Sequence, residues 1–592
     1  MAFYKQLPLS STEPCFRLLD IQPARHLDAP LVAEAAIYDL KTPCEVEYYA
    51  LSYCWGKPGR NEHLMVNQTD FPIPESLSAA LRRFRALQEE QQAFGAPASW
   101  KIWVDAVCIN QNDNAEKSHQ VARMRDIYAN AHRVLAWLGE AEEDSALALD
   151  TLRRFAVDSA KEAVAIATQL QSEAEDRRAA IQRFIQRPYF FRMWIVQELV
   201  AAKEVTLFWG SHSIDFDKAC NALERMTGSG FYPFSQQTAN ISYVYRWRDA
   251  YHARSEKPDD EELDLRLFLD TRDRSATDPR DKIYSLFGIT RDRIKKGINI
   301  NYKDPVRKVY SEFSKHVLIT RSDLQILSAV MVRHAAASAH NLPSYVPDWT
   351  QPKYGGGFLQ RYYRFKPTHL FRASGDTKPR VTVEAVVDDK GGILADAIAI
   401  EGFRLDTIAR VIPIKYLLAP GRVSSTSVTQ AVLSKLAADA LPSPTYPHTG
   451  EPAWMAYFRA LTADRTALSP RIGERYRSDN FAHFSDFDLR DPSAIPSDLP
   501  DELWEGISRD VETIVEDKDL FVTERGYIGL GHENCAAGDV VCVFLGGEVP
   551  YIVRSAPAGG HGFTFLGECY VHGVMDGEAM DGKAALEQFT LV

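Results

Sequence analysis

"YYALSYCWG", Tyr48 to Gly56, is the stretch on which the reading of the fold turns. It reads as a strand that ends in an abrupt turn. Yet Ser52, Tyr53, Cys54 and Trp55 stand where a strand buried on both faces usually carries Val and Ile. Those residues are either packing or the floor of a site.

Working outward, "PIPESLSAALRRFRAL" comes next, with Leu77, Ala80, Leu81, Phe84 and Leu87 at amphipathic helical spacing. "KIWVDAVCI" (Lys101 to Ile109) reads as a second strand. "EKSHQVARMRDIYANA" reads as a helix with Val121, Met124, Tyr128 and Ala131 on one face. "RVLAWLG" (Arg133 to Gly139) is a third strand. A charged helical insertion runs from about Glu140 to Gln186 and stops at Arg187-Pro188. "YFFRMWIVQELVAA" then reads as a helix and "EVTLFWG" (Glu204 to Gly210) as a fourth strand. This alternation predicts a parallel sheet with helices on both faces. Ligands of such sheets bind beyond the carboxyl ends of the strands, where strand order reverses. Ser52 to Gly56 and Asp105 to Gln111 both fall there.

Further along, the chain is mostly helical through "EELDLRLFLD" and "TDPRDKIYSLFGI", with a Pro-rich break at "LPSYVPDW". From about Arg380 the pattern is β. A loop-rich stretch occupies about 440–500, and hairpins turn at Arg525-Gly526 and Gly546-Gly547. The expected domains are an N-terminal extension (1–45), an α/β domain (46–212), a mainly helical middle (213–379) and a β-rich end (380–592).

Composition narrows the function. The chain has 592 residues, roughly two to four domains' worth, with 45% hydrophobic and 25% charged residues. A net charge of -12 without a long basic run argues against nucleic acid as a partner. No stretch has the ~18 uncharged apolar residues a spanning helix needs, so no membrane partner is expected. The first twenty residues lack an apolar signal region. Eight scattered cysteines with no CxxC pair read as reduced thiols. The expectation is a cytoplasmic protein.

"RMWIVQEL" (Arg192 to Leu199) puts Trp194, Gln197 and Glu198 on one helical face, an aromatic wall beside a fixed negative charge. That suits a cationic or sugar-bearing ligand. Alternatively Trp194 packs in the core and Glu198 pairs with Arg192 or Arg187. Asp105 either binds ribose hydroxyls or caps its loop. Asn110 and Gln111 either contact a ligand or close their own turn. Cys54 or Cys108 as a nucleophile matches no catalytic spacing. His532, Cys535, Cys542, Cys569 and His572 sit among hairpins rather than zinc knuckles, so no metal is expected. There is no HExxH, P-loop, complete GxGxxG or GxSxG.

Three of these runs, "YYALSYCWG", "IWVDAVCINQNDNAEKSHQVARMRDIYANAHRVLAWLG" and "RPYFFRMWIVQELVAA", resemble the blocks of the heterokaryon incompatibility (HET) domain of filamentous fungi. "TDPRDKIYSLFGI", "LPSYVPDW" and the closing β-rich run look like the flanks of large HET proteins. The resemblance implies nonself recognition and programmed cell death. The HET domain is in turn remotely similar to the TIR domain, which implies a flavodoxin-like sheet. By that likeness Glu198 matches the glutamate that TIR enzymes need to cleave NAD. The long insertion before its helix, and Val196-Gln197 before the glutamate, depart from the TIR pattern.

The likeness to TIR enzymes implies an NAD hydrolase with Glu198 catalytic. Ser52, Tyr53, Trp55, Asp105, Asn110, Trp194 and Gln197 would bind substrate. No cofactor is implied, since NAD is consumed. The alternative is a non-enzymatic signalling module that recruits a partner. Self-association or another incompatibility protein is the expected partnership.

Overall fold

The computed structural model describes residues 2–592 apart from 11–12, 25, 42–43, 57–58, 60, 93–99, 234–235, 254–261, 322, 331–339, 352–369, 388–392, 415–444, 467–473, 476–513, 516, 557–561 and 581–584. Most of the expected 440–500 loop stretch therefore lies outside the described residues. The chain divides into two compact units, Met1–Pro305 and Val306–Val592.

The first unit is built on nine strands: β1 (Cys15–Ile21), β2 (Leu31–Asp39), β3 (Tyr49–Tyr53), β4 (Glu62–Val66), β5 (Thr69–Ile73), β6 (Lys101–Trp103), β7 (Arg133–Trp137), β8 (Val205–Trp209) and β9 (His212–Asp215). They form one sheet in the order β5-β4-β2-β1-β6-β3-β7-β8-β9. Strands β6, β3, β7 and β8 are mutually parallel, as expected. By chain order these four read 2-1-3-4, so the order reverses beside β3, where doubly wound sheets hold ligands.

The sheet as a whole is mixed, which corrects the expectation of a parallel one. β1 runs antiparallel to both β2 and β6, β4 to β5, and β8 to β9. Tight turns join β4 to β5 and β8 to β9, and a short connection cannot return a chain for parallel pairing. Residues 15–21 do not read as a strand in the sequence because Arg17 interrupts their apolar run. Its side chain is nevertheless fully buried. The guanidinium donates to Leu7 O (2.9 Å), Cys108 O (2.9 Å) and Glu116 Oε1 (2.6 Å). One internal arginine thus fastens the loop after β6 to the neighbouring strand.

Helices α1 (Ala2–Gln6), α2 (Glu75–Gln92), α3 (Asp105–Cys108), α4 (Asn114–Val121) and α5 (Met124–Asn130) precede the insertion. The insertion is helical, as expected: α6 (Ser145–Phe155), α7 (Ala160–Gln169) and α8 (Ala174–Ile185). Three local expectations fail. The second strand stops at Trp103, and residues 105–108 turn into α3. The helix expected after it is two helices, α4 and α5. The stretch 189–202 is not one helix: Pro188–Phe191 is a 3₁₀ turn, and only α9 (Ile195–Ala201) is α-helical. Backbone groups on both sides of Arg192 bond Ser275 instead. Met193 N donates to Ser275 O (2.9 Å) and Ser275 N to Phe191 O (2.6 Å).

In the second unit a nine-stranded sheet is organised by one strand, β11 (Ile393–Ile412). It pairs with β10 (Val381–Val387) and, among later strands, with Lys518–Thr523, Val540–Phe544 and Glu587–Leu591. Register shifts at Arg404/Asp406 and Ile408/Arg410 bend it, so that one strand serves several partners. Phe403, Phe521, Val541, Val543, Ile552 and Val571 fill the core. The two expected hairpins form, Lys518–Thr523 with Ile528–His532 and Val540–Phe544 with Tyr551–Ser555.

Candidate functional site

β3 lies between β6 and β7, so its last residues are covered on both sides. Ser52 pairs in register with Ala136 and Tyr53 with Trp137. Ser52 is 1% exposed and its hydroxyl donates to Glu198 Oε2. Ser52 has a single proton to give, so with Glu198 ionised the 2.6 Å contact to the Tyr189 hydroxyl has tyrosine as donor. Tyr189, Ser52 and Glu198 thus form a chain of two hydrogen bonds ending on a carboxylate.

Glu198 is 2% exposed. Burial raises its pKa from 4.5 to about 7, against the pull of the Arg192 charge and the Ser52 hydrogen bond, while Asp105 adds to the rise. Arg192 acts through space, because its own hydrogen bond runs to Tyr53 O. Desolvation works against the guanidinium, but Glu198 and Asp105 outweigh it and hold its pKa above the ordinary value. Arg187 is not the partner of Glu198: it donates to Leu138 O (2.9 Å) and to Glu142.

Asp105 is half-buried at the start of α3. It accepts from Trp55 Nε1 (3.1 Å) and from Ala106 N (2.7 Å). Loss of solvation pushes its pKa up, opposed by Arg192 and the Trp55 bond. Trp55, Asp105 and Arg192 are partly exposed, whereas Ser52, Tyr189 and Glu198 are buried. The arrangement is a rim of indole, carboxylate and guanidinium beside a buried acid with two hydroxyl partners. A carboxyl that titrates near neutrality can carry charge or accept a proton under ordinary conditions.

The expected single face of Trp194, Gln197 and Glu198 does not form. Trp194 precedes α9, and its Nε1 donates to Asp281 Oδ2 (2.9 Å). Gln197 Oε1 accepts from Gly288 N (3.1 Å). Only Glu198 faces β3, since Gln197 is turned about 100° from it on a helix. Asn110 is half-buried, with its N–H held by Glu116 Oε1 (2.7 Å) and its Oδ1 accepting from Asn112 N (3.3 Å). Gln111 Nε2 donates to Asp105 O (2.9 Å), so it closes the turn that presents Asp105. Tyr53 is buried and contributes its carbonyl.

Tyr189 escaped the sequence reading. The signal was Arg187-Pro188, which starts a tight turn where a long helix was expected. Cys108 is buried, and loss of solvation pushes its thiol to about 12, too high for a thiolate nucleophile. Among the described residues no three His, Cys, Asp or Glu side chains gather as metal ligands. No helix among them is long and apolar enough to cross a membrane. A groove of about 630 Å³, lined by residues such as Leu18, Asp20, Glu34, Tyr38 and Lys101, involves none of the site residues above.

The region holding this cluster, residues 48–198, matches the family model described as heterokaryon incompatibility protein (HET). Residues 48–198 are thus similar to the HET domain. The matched region begins at Tyr48 and ends at Glu198 itself. Residues 505–592 match a second model, the Het-6 beta-barrel domain. Along its full length the chain is similar to heterokaryon incompatibility protein 6, OR allele, of Neurospora crassa. The two are 26% identical over 699 aligned positions, covering 100% of this chain and 98% of the relative. No solved structure matches.

Proposed function

We propose that this chain is an effector of nonself recognition and cell death, and that it acts by hydrolysing NAD to nicotinamide and ADP-ribose. The observation that carries this reading is the buried Glu198, poised near neutrality beside β3 and flanked by Arg192 and Asp105. Cleavage breaks the bond between the ribose anomeric carbon and the pyridinium nitrogen. The electron pair leaves with the nitrogen, so nicotinamide departs neutral and needs no acid. The ribose is left as an oxocarbenium-like cation, as in glycoside hydrolysis. Ionised Glu198 stabilises that cation; water adds, and its proton passes to the carboxylate and then to solvent. Ser52 and Tyr189 orient the carboxylate. Asp105 and Trp55 are the groups at the rim for ribose hydroxyls and the ring.

Removing a preorganised charge of this kind costs about 3 kcal/mol, on the order of a hundredfold in rate. Purified full-length protein at high concentration is incubated with NAD, and nicotinamide release is followed. Glu198→Ala should lower release about a hundredfold with the circular dichroism spectrum unchanged. Equal turnover in the variant removes Glu198 from the mechanism.

The burial of Glu198 also supports a second reading, an assembly module without turnover. Entry of NAD requires the rim side chains to move, which fits an effector held off until a partner or a second copy binds. Under the second reading neither protein releases nicotinamide, and Glu198→Ala still kills cells.

A further inference from the structure

Five hydrogen bonds tie residues 274–288 to the segment that ends in Glu198. Arg274 Nη1 donates to Phe190 O (2.6 Å), Ser275 N to Phe191 O (2.6 Å), and Met193 N to Ser275 O (2.9 Å). Trp194 Nε1 donates to Asp281 Oδ2 (2.9 Å) and Gly288 N to Gln197 Oε1 (3.1 Å). Asp281 is buried and also accepts from the Tyr302 hydroxyl (2.6 Å). At Gly288 a Cβ would lie 2.2 Å from Gln197 Oε1 and 2.6 Å from Arg125 Cβ. Only glycine lets this backbone approach α9 so closely.

These bonds bear on Glu198 because α9 cannot orient it alone. α9 has seven residues and no side-chain cap at Trp194. A helix that short holds no fixed direction without tertiary contacts. The chain just before it is not helical, because Ser275 takes the backbone bonds that would continue the helix. The direction in which Glu198 points is therefore set partly from outside residues 48–198, in addition to the Ser52 hydrogen bond within them.

We propose that residues 274–288 are a positioning clamp for the Glu198 site. Ser275 fixes the backbone around Arg192, Asp281 anchors Trp194, and Gly288 sets the rotation of α9 through Gln197. The clamp rests on the reading of Glu198 as the reacting carboxylate, and it deepens that reading: the working unit extends past the matched region. A displacement of about 1 Å at a reacting group can cost a hundredfold in rate.

The test uses the full chain with Gly288→Ala and Asp281→Asn. Titration of the Glu198 carboxyl is followed by infrared difference spectroscopy against a Glu198→Gln background, alongside nicotinamide release. Both variants should shift the Glu198 midpoint upward, because the Ser52 hydrogen bond to the charged form weakens, and should lower release about tenfold or more. Asp281→Asn is isosteric and decides the matter if Gly288→Ala does not fold. An unmoved midpoint in the folded variants overturns the clamp, even where the parent protein releases nicotinamide. A moved midpoint in a protein that never releases nicotinamide keeps the clamp and sinks the NAD reading.

Discussion

Each unit holds a glutamate beside tyrosines, and the two behave oppositely. In the first unit Glu198 has one direct hydrogen bond among the described residues, from Ser52, and its pKa rises to about 7. In the second, Glu451 meets His572 Nε2, the Thr449 hydroxyl (3.0 Å) and Arg459 Nε (3.3 Å). Burial works against its charge, but the His572 hydrogen bond and charge, then Thr449 and Arg459, outweigh it and hold the carboxyl below its ordinary value. His572 is held in turn by Tyr570, whose hydroxyl contacts Nδ1 (2.9 Å), and Tyr446 donates to His572 O (3.0 Å). A carboxylate with a full set of donors is a clasp. One left short of donors is poised to accept a proton or a cation.

The contrast has opposite consequences for stability. Glu198 binds its proton more tightly folded than unfolded. Its ionisation therefore removes stability as pH rises from about 4.5 to about 7, by on the order of 3 kcal/mol. Glu198→Gln should raise the melting temperature relative to the parent at pH 8 and much less at pH 5. An equal difference at both pH values would mean that Glu198 is ordinarily solvated. Turnover, read on the same protein, should rise as pH climbs through about 7 and Glu198 ionises.

Glu451 runs the other way. Its lowered pKa contributes stability above the unfolded carboxyl value, and that contribution is lost as pH falls through the folded one. Glu451→Gln should lower urea stability by about 2 kcal/mol near neutrality, because His572 and Arg459 lose their acceptor. The smallest effect is expected for Tyr189→Phe, which removes a single neutral hydrogen bond to Ser52 at about 1 kcal/mol. The same change should leave nicotinamide release measurable, since Ser52 still reaches Glu198. Complete loss of release would make Tyr189 more than an orienting group.

Much of the first unit was legible because hydrophobic periodicity depends on local sequence. The four parallel strands fall where the apolar runs put them, and Ser52, Asp105 and Glu198 do belong to one neighbourhood. The strand with a buried arginine was not legible. Charge within an apolar run signals exposure unless partners distant in sequence are known, and those of Arg17 lie as far away as Glu116. Tyr189 was missed for a related reason: a helical pattern hid the turn that Pro188 starts, after which Phe191 and Met193 bond Ser275, far along the chain, instead of continuing a helix.

The amino-acid order by itself determined which residue types could meet at the end of β3, and it carried the HET resemblance that the match over residues 48–198 bears out. Tertiary structure alone decided that Glu198 turns toward Ser52 while Gln197 and Trp194 turn toward Gly288 and Asp281. Helical spacing fixes only the angle between neighbouring side chains. What each one faces is set by packing partners brought together from far along the chain, and so is the charge that a buried carboxyl carries.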